Sequence, residues 1–139
     1  MVRQYLLFEV AESKYAIKTS DVVKIVSMQP ITRIPNTPHD IRGLINLRGR
    51  IVVVVDTRKR WHHEMKEDDL KTSIIVTNFN EKWIGWVVDA IDKIMYFEEE
   101  DFLPIAWGKI VQEIPLVDKV ICYQQELVGV VSEINLMGK

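Results

Sequence analysis

The sequence IRGLINLRGRIVVVVDTRKR, at residues 41–60, gives the clearest indication of the fold. Residues 51–55 are consecutive β-branched side chains bounded by charged ones. Because branching at Cβ restricts χ1 in a helix, this run predicts a strand that is buried on both faces. Gly49 can supply the positive φ that a tight reversal needs. We therefore predict a hairpin of residues 41–47 and 50–56, with Arg48 held out at its tip.

Similar short apolar runs recur along the chain, separated by charged or Gly/Asn turns, and no long helical period competes with them. This pattern predicts an all-β fold with one or two short helices, at 19–21 and 132–137. A segment with Pro30, Pro35 and Pro38 lacks the amide donors of a central strand and is predicted to be a connection. The predicted strands are 5–10, 14–18, 22–27, 41–47, 50–56, 73–78, 82–89, 92–96, 117–123 and 126–131.

Size and composition indicate one compact domain, at residues 1–139, that needs neither metal nor disulfide to fold. The formal net charge of −2 gives no general attraction to nucleic acids or acidic membranes. Cys122 is the only cysteine, which excludes an internal disulfide and favours a reducing compartment. No signal-peptide core and no membrane-spanning run is present, so we expect a cytoplasmic protein.

The sequence offers little catalytic chemistry. The six glycines are scattered singly, so no phosphate-binding glycine loop is present and no nucleotide cofactor is expected. The imidazoles are His39, His62 and His63, and the adjacent pair would point to opposite faces of a strand, which disfavours a metal site. We predict a protein that is not an enzyme and that uses no cofactor.

The hairpin and its surroundings resemble the CheW family, the coupling proteins of bacterial chemotaxis. The resemblance rests on residues 43–49, GLINLRG, and on the Val run with Asp56 and Arg58. It extends to ITRIPNTP at residues 31–38 and to GWVVD at residues 85–89, so it covers most of the chain. It implies two small five-stranded SH3-like β-barrel lobes that share an apolar core and form one domain.

A faint internal echo agrees with two similar lobes. Lys14 and Tyr15 match Lys82 and Trp83 at an offset of 68 residues, and each pair follows a polar turn and opens a predicted strand.

The resemblance also implies a function and a set of contact residues. It implies a non-enzymatic adaptor that couples the cytoplasmic tips of methyl-accepting chemoreceptors to the regulatory domain of a CheA-like histidine kinase. Such a protein would be recruited to membrane receptor arrays without inserting into the membrane. The residues predicted to contact partners are Gly43, Asn46, Leu47, Arg48, Gly49, Arg58 and Val23.

Three of these predictions have a structural alternative. Arg48 either binds a partner's carboxylates or carbonyls, or pairs with Asp56 or another acid of its own sheet. Asp56 and Arg58 are predicted to form a mutual ion pair at the strand end. Val23, with Val22 and Ile25, either anchors an apolar seam or packs in an ordinary core.

A second function remains open from the sequence. Small β-barrels also bind single-stranded nucleic acids, through a basic groove lined by aromatic side chains. The four tryptophans, Trp61, Trp83, Trp86 and Trp107, are expected in the core, and only a continuous basic and aromatic groove would favour this alternative.

Overall fold

The computed structural model describes residues 2–103 and 119–137, and most of these residues lie in strands. The strands are β1 Arg3–Val10, β2 Ser13–Lys18, β3 Val22–Ser27, β4 Ile41–Leu47, β5 Arg50–Asp56, β6 Ser73–Phe79, β7 Lys82–Val88, β8 Ala90–Phe97, β9 Phe102–Leu103, β10 Lys119–Tyr123 and β11 Glu126–Val131. The helices are α1 Thr57–Arg60 and α2 Glu133–Met137, and single 3-10 turns span Thr19–Asp21 and Glu99–Asp101.

The chain divides into two compact units, which we call the central lobe, residues 21–91, and the terminal lobe, residues 1–20 with 92–139. The central lobe contains a five-stranded sheet in the order β3-β6-β7-β5-β4. In this sheet β5 and β7 run parallel, whereas the other neighbours are antiparallel. Alternate residues of β4, β5, β6 and β7 point to one face and form an apolar core. Its buried members are Ile45, Val52, Val54, Ile74, Val76 and Val87.

The terminal lobe contains a six-stranded sheet in the order β8-β1-β2-β11-β10-β9. β2 and β11 run parallel, with Ala16 beside Val130 and Ile17 beside Val131. This lobe therefore joins strands from distant parts of the chain. Tyr5 is central to its core, with its ring centroid 5.9 Å from that of Phe97. The buried core members are Tyr5, Leu7, Ala16, Phe97, Ile121, Val128 and Val130.

Both lobes contain the same arrangement of four strands. In each, two antiparallel hairpins lie side by side with their second strands parallel: β1-β2 beside β10-β11, and β4-β5 beside β6-β7. The closing pair Val10↔Ser13 corresponds to Phe79↔Lys82, which makes Ser13 equivalent to Lys82. The predicted similarity of the lobes is thus observed, but the offset is 69 residues, one more than the echo of Lys14 with Lys82.

The prediction of an all-β fold with two lobes is confirmed, and so are the two short helical segments. The terminal sheet has one strand more than the predicted five, because the two-residue β9 pairs with β10. Residues 117 and 118 of one predicted strand, together with Trp107, lie outside the described residues. The extent of the domain, 1–139 as one unit, stays a prediction.

Two features differ from the sequence prediction. The chain forms a helical turn, α1, directly after β5, where no helix is predicted. Ile51 is predicted to be buried but is 54% exposed, because it lies beside the hairpin turn opposite the exposed Asn46.

Candidate protein-docking surface

The tip of the β4-β5 hairpin is a two-residue turn. Leu47 pairs with Arg50, and Arg48 and Gly49 between them have φ values of 51° and 85°. Positive φ at both central residues is the mark of a type I′ turn, which matches the twist of the two strands. The Gly49 N–H donates a hydrogen bond of 2.7 Å to Asn46 Oδ1, which fixes the turn. Asn46 and Gly49 therefore build the tip.

The side chain of Arg48 is exposed at this tip. Within residues 2–103 and 119–137 its guanidinium forms no hydrogen bond or ion pair, so its alternative partner, Asp56, is not used. A guanidinium held on a fixed turn presents a planar fork of donors to an incoming carboxylate or carbonyl group. The geometry agrees with a contact residue, although the contact itself stays a prediction.

Apolar surface lies next to the tip. Ile51 is exposed, and Leu47 is half-buried and packs against the central core. Arg50 does not share the outward direction of Arg48, because its guanidinium lies 4.3 Å from the centre of the Trp83 ring. We call Arg48 with Ile51 the tip surface. Ile51 is absent from the predicted contact set, and its position next to the turn is the signal that indicates exposure.

Gly43 is required by the backbone, and its predicted partner contact stays a prediction. It is buried, has a φ of 144°, and lies at a register shift between β4 and β5. A Cβ atom at this position would lie 2.1 Å from the carbonyl oxygen of Thr32. The close approach arises because Thr32 and Leu44 exchange backbone hydrogen bonds of 2.9 and 2.8 Å. Gly43 thus lets the proline-containing segment lie against β4.

A buried carboxylate organises the end of the hairpin. Asp56 is only 2% exposed, and its Oδ1 accepts a hydrogen bond from the Lys59 N–H as the N-cap of α1. Its Oδ2 accepts from Arg42 Nε at 3.0 Å. Arg42 also forms two hydrogen bonds with Asp68, which raise the pKa of Arg42, and the nearby Asp56 carboxylate acts in the same direction.

The predicted ion pair between Asp56 and Arg58 is wrong. Arg58 lies on α1 rather than on a continued strand, so the two side chains do not alternate along one face. Its guanidinium instead binds the carboxylate of Asp89, with N–O distances of 2.7 to 3.1 Å, and the Glu64 carbonyl at 2.8 Å. Arg58 therefore holds α1 to the end of β7, and its predicted partner contact stays a prediction.

The third predicted feature, Val23, lies on β3 at the edge of the central sheet. Val23 and Ile25 are each 41% exposed, whereas Val22 is half-buried. The alternative of ordinary core packing is therefore wrong for Val23 and Ile25. We call these two residues the β3 edge. Exposed valine and isoleucine on an edge strand form an apolar surface that another protein could cover.

The described residues were also compared with the requirements of a metal site, a membrane-spanning helix and an aromatic groove. Across 2–103 and 119–137, no group of three His, Cys, Asp or Glu side chains is arranged to hold a metal ion. His62 and His63 lie just after α1, outside the described helices and strands. No helix in the described part of the chain has the length and hydropathy needed to cross a membrane. Trp61 and Trp86 are buried, and Trp83 is half-buried beneath Arg50, so these rings do not line an open groove.

Comparisons with known proteins agree with this geometry. Residues 4–135 match the family model described as the CheW-like domain. A chemotaxis protein CheW of Klebsiella aerogenes is 33% identical over 102 residues, covering 73% of this chain and 61% of the relative. A chemotaxis protein CheW of Bacillus subtilis is 33% identical over 96 residues, covering 69% and 62%. The chain thus spans about three-fifths of these relatives' length.

A solved structure shares the fold. The crystal structure of the scaffolding protein TtCheW from Thermoanaerobacter tengcongensis superposes with a TM-score of 0.83 and 26% sequence identity. The match covers 95% of this chain and 90% of the other. Because the family model spans residues 4–135, including both lobes' hairpins and the tip, the chain belongs to the CheW-like domain family.

Proposed function

We propose that this protein is a non-enzymatic adaptor in chemotaxis signalling. It would couple the cytoplasmic tips of methyl-accepting chemoreceptors to the regulatory domain of a CheA-like histidine kinase, in the cytoplasm at membrane receptor arrays. The observation that carries the proposal is the exposed guanidinium of Arg48 on a fixed turn, in a chain that matches the CheW-like domain along residues 4–135.

The tip surface is suited to a protein partner. The Arg48 guanidinium can form two parallel hydrogen bonds with a carboxylate, which gives both direction and strength. Ile51 beside it offers apolar area that becomes buried on contact. Arginine is enriched among the few residues that carry most of the binding energy of an interface, and neighbouring apolar contacts exclude water from it.

The β3 edge supplies a second surface of a different kind. Val23 and Ile25 offer side chains for apolar contacts, and β3 has a strand neighbour, β6, on one side only among the described strands. Two surfaces of different chemistry would let one small protein hold two partners. We assign neither surface to the receptor or to the kinase.

The proposal is tested by titrating the purified protein with a kinase regulatory domain and, separately, with a receptor cytoplasmic segment. We expect Arg48→Glu to weaken binding of at least one partner by ~1 to 3 kcal/mol, because a favourable charge becomes a repulsive one. Lys71→Glu is the matched control. Lys71 is also an exposed basic residue of the central lobe, but it comes just before β6, at the opposite end of that strand from the Phe79–Lys82 turn that lies beside the tip.

Two further variants separate charge from geometry. Arg48→Lys keeps the charge but loses the planar fork, so an intermediate affinity is expected if two parallel hydrogen bonds form. Val23→Ser tests the β3 edge in the same titrations. Equal affinities for the Arg48→Glu and Lys71→Glu variants, with both folded by circular dichroism, would show that the tip is not a contact.

The nucleic-acid alternative is tested with the same material. No observation of the described residues favours it, since the aromatic rings of Trp61 and Trp86 are buried. Tight, salt-dependent binding of single-stranded oligonucleotides would support a nucleic-acid-binding function, and negligible binding at low salt would exclude it.

A further inference from the structure

The central lobe carries a groove that the proposed function does not use. Its volume is about 860 Å³, and it lies between the segment 31–39 and the start of α1. Its floor includes Ile41 and Asp56, and Met65 contributes to its wall. Arg33, Pro35 and His39 on its rim are exposed, so the groove opens to solvent along that side.

The wall formed by residues 31–39 is fixed by backbone contacts at both ends. At its start, Thr32 and Leu44 exchange backbone hydrogen bonds, and the Thr32 backbone can come this close to β4 only because residue 43 is glycine. At its end, the Asp56 N–H donates to the Asp40 carbonyl at 2.7 Å. Asn36, with a φ of 63°, reverses the chain between these two anchors. The groove is therefore a built feature of the fold and exists before any ligand binds.

The side chains that line the groove carry more positive than negative charge. Three permanent cations, Arg33, Arg42 and Lys59, face one carboxylate, that of Asp56. Both Asp56 oxygens already accept hydrogen bonds, from Arg42 and from the Lys59 N–H. Arg42 is engaged by Asp56 and Asp68, whereas the side chains of Arg33 and Lys59 form no ion pair within the described part of the chain.

We infer that this groove binds an extended, carboxylate-rich segment of a partner protein. Glutamate or aspartate side chains would meet Arg33 and Lys59. Ile41, Met65 and the prolines of the lining would pack against the segment's small side chains. An extended peptide fits because the groove is open along its rim, whereas a pocket for a small molecule encloses its ligand. This inference does not depend on the proposed chemotaxis partners.

The test uses the full chain and a fluorescein-labelled peptide of alternating glutamate and alanine, followed by fluorescence anisotropy. We expect binding that weakens as salt is raised, because the contacts are between charges in a groove that is open to solvent. The double variant Arg33→Glu/Lys59→Glu should bind at least about tenfold more weakly, since it reverses both unpaired cations. The control Lys82→Glu changes the net charge outside the groove and should bind within about twofold of the parent.

Further measurements keep the inference open to refutation. A glutamine-alanine peptide should bind far more weakly than its glutamate counterpart. The milder double variant Arg33→Gln/Lys59→Gln should also lose affinity, which covers the case in which the charge-reversed protein does not fold. Amide NMR shifts caused by the peptide should lie at residues 31–42 and 59. Shifts confined to residues 46–51, equal losses with Lys82→Glu, or displacement of the peptide by inorganic phosphate at matched charge concentration would each overturn the inference.

Discussion

Among single residues, the two glycines Gly43 and Gly49 of the β4-β5 hairpin are needed for different reasons. Gly49 has positive φ in an open turn, where a Cβ atom would have no neighbour within 4 Å. Gly43 combines positive φ with a clash against the Thr32 backbone. The sequence pattern predicts the first role, because glycine in a short turn is a local signal. The second depends on a segment 11 positions earlier, at Thr32, and so has no local signature.

We expect Gly43→Ala to be the more damaging of two matched substitutions. The alanine Cβ must displace Thr32 and adopt an unfavourable φ, which should lower the free energy of unfolding by about 2 to 4 kcal/mol. Gly49→Asn should cost less than about 1 kcal/mol, because asparagine tolerates the left-handed region. Urea denaturation followed by circular dichroism measures both. Similar losses for the two variants would contradict the role assigned to Thr32.

The buried Asp56 carboxylate leads to a second prediction. Asp56→Ala removes both the N-cap of α1 and the partner of Arg42, and should lower the free energy of unfolding by about 3 to 5 kcal/mol. Asp56→Asn keeps an oxygen for the Lys59 N–H but loses the charge, so a smaller loss is expected. Chemical denaturation of the two variants separates capping from ion pairing. An equal loss in both would assign the whole effect to the charge.

The pairing of charged residues is the part of the site that the sequence does not predict. Asp56 and Arg58 are neighbours in sequence, but Arg58 binds Asp89 and Asp56 binds Arg42. These choices depend on where β7 ends and where β4 passes, which are long-range facts. The exposure of Arg48, by contrast, follows from its place in a two-residue turn, and it is correctly predicted.

At the scale of elements, the strands are predicted closely and the short helix α1 is not. Alternation and β-branching extend over whole strands, so β3, β4, β5 and β11 have the predicted bounds. α1 has only four residues, too few to show a helical period. Its one signal is Asp56 as a helix N-cap, which the preceding run of valines obscures.

Tyr15 on β2 gives a prediction about alkaline pH. Burial raises the pKa of Tyr15 to about 12, even though a hydrogen bond with Ser13 acts in the opposite direction. In the unfolded chain a tyrosine ionises near pH 10, so below that pH both states are neutral and the full stability remains. Between about pH 10 and pH 12 the unfolded state loses its proton first, and stability falls by about 2 to 3 kcal/mol over this range.

The measurement compares urea denaturation at pH 8 and pH 11 for the parent and for Tyr15→Phe. The parent and the variant differ only at this side chain, so the difference between their pH dependences isolates Tyr15. We expect the parent to lose more stability between the two pH values than the variant. Identical pH dependence would show that Tyr15 is not held neutral by burial.

At the scale of the whole molecule, two lobes with the same four-strand arrangement agree with the weak sequence echo. The echo does not lie on equivalent residues, because the strand register makes Ser13, rather than Lys14, equivalent to Lys82. It could nevertheless predict two lobes, since a shared topology leaves similar spacing of turns and strands. Connectivity agrees with the prediction of a single domain, because the terminal lobe is built from both sides of the central lobe in the sequence.

We therefore expect the chain to unfold in one transition. Leu7→Ala in the terminal core and Val76→Ala in the central core should each lower the free energy of unfolding by about 1 to 4 kcal/mol. Neither substitution should add a second step to the urea denaturation curve. Circular dichroism monitors both lobes. Fluorescence of Trp61, Trp83 and Trp86 monitors the central lobe, with Trp107→Phe as the background. Curves from the two probes that separate in either variant would show two independently folding domains.

The parallel pairing of β2 with β11 has a consequence for how the protein is made on the ribosome. Ile17 pairs with Val131, which is synthesised 114 positions later, whereas every described strand of the central sheet is synthesised before β10. The β1-β2 hairpin, with Leu7 and Ile17 on it, must therefore leave the exit tunnel with its apolar side chains uncovered. During synthesis the early hairpin, rather than the central sheet, is the part of this chain that a chaperone would need to shield.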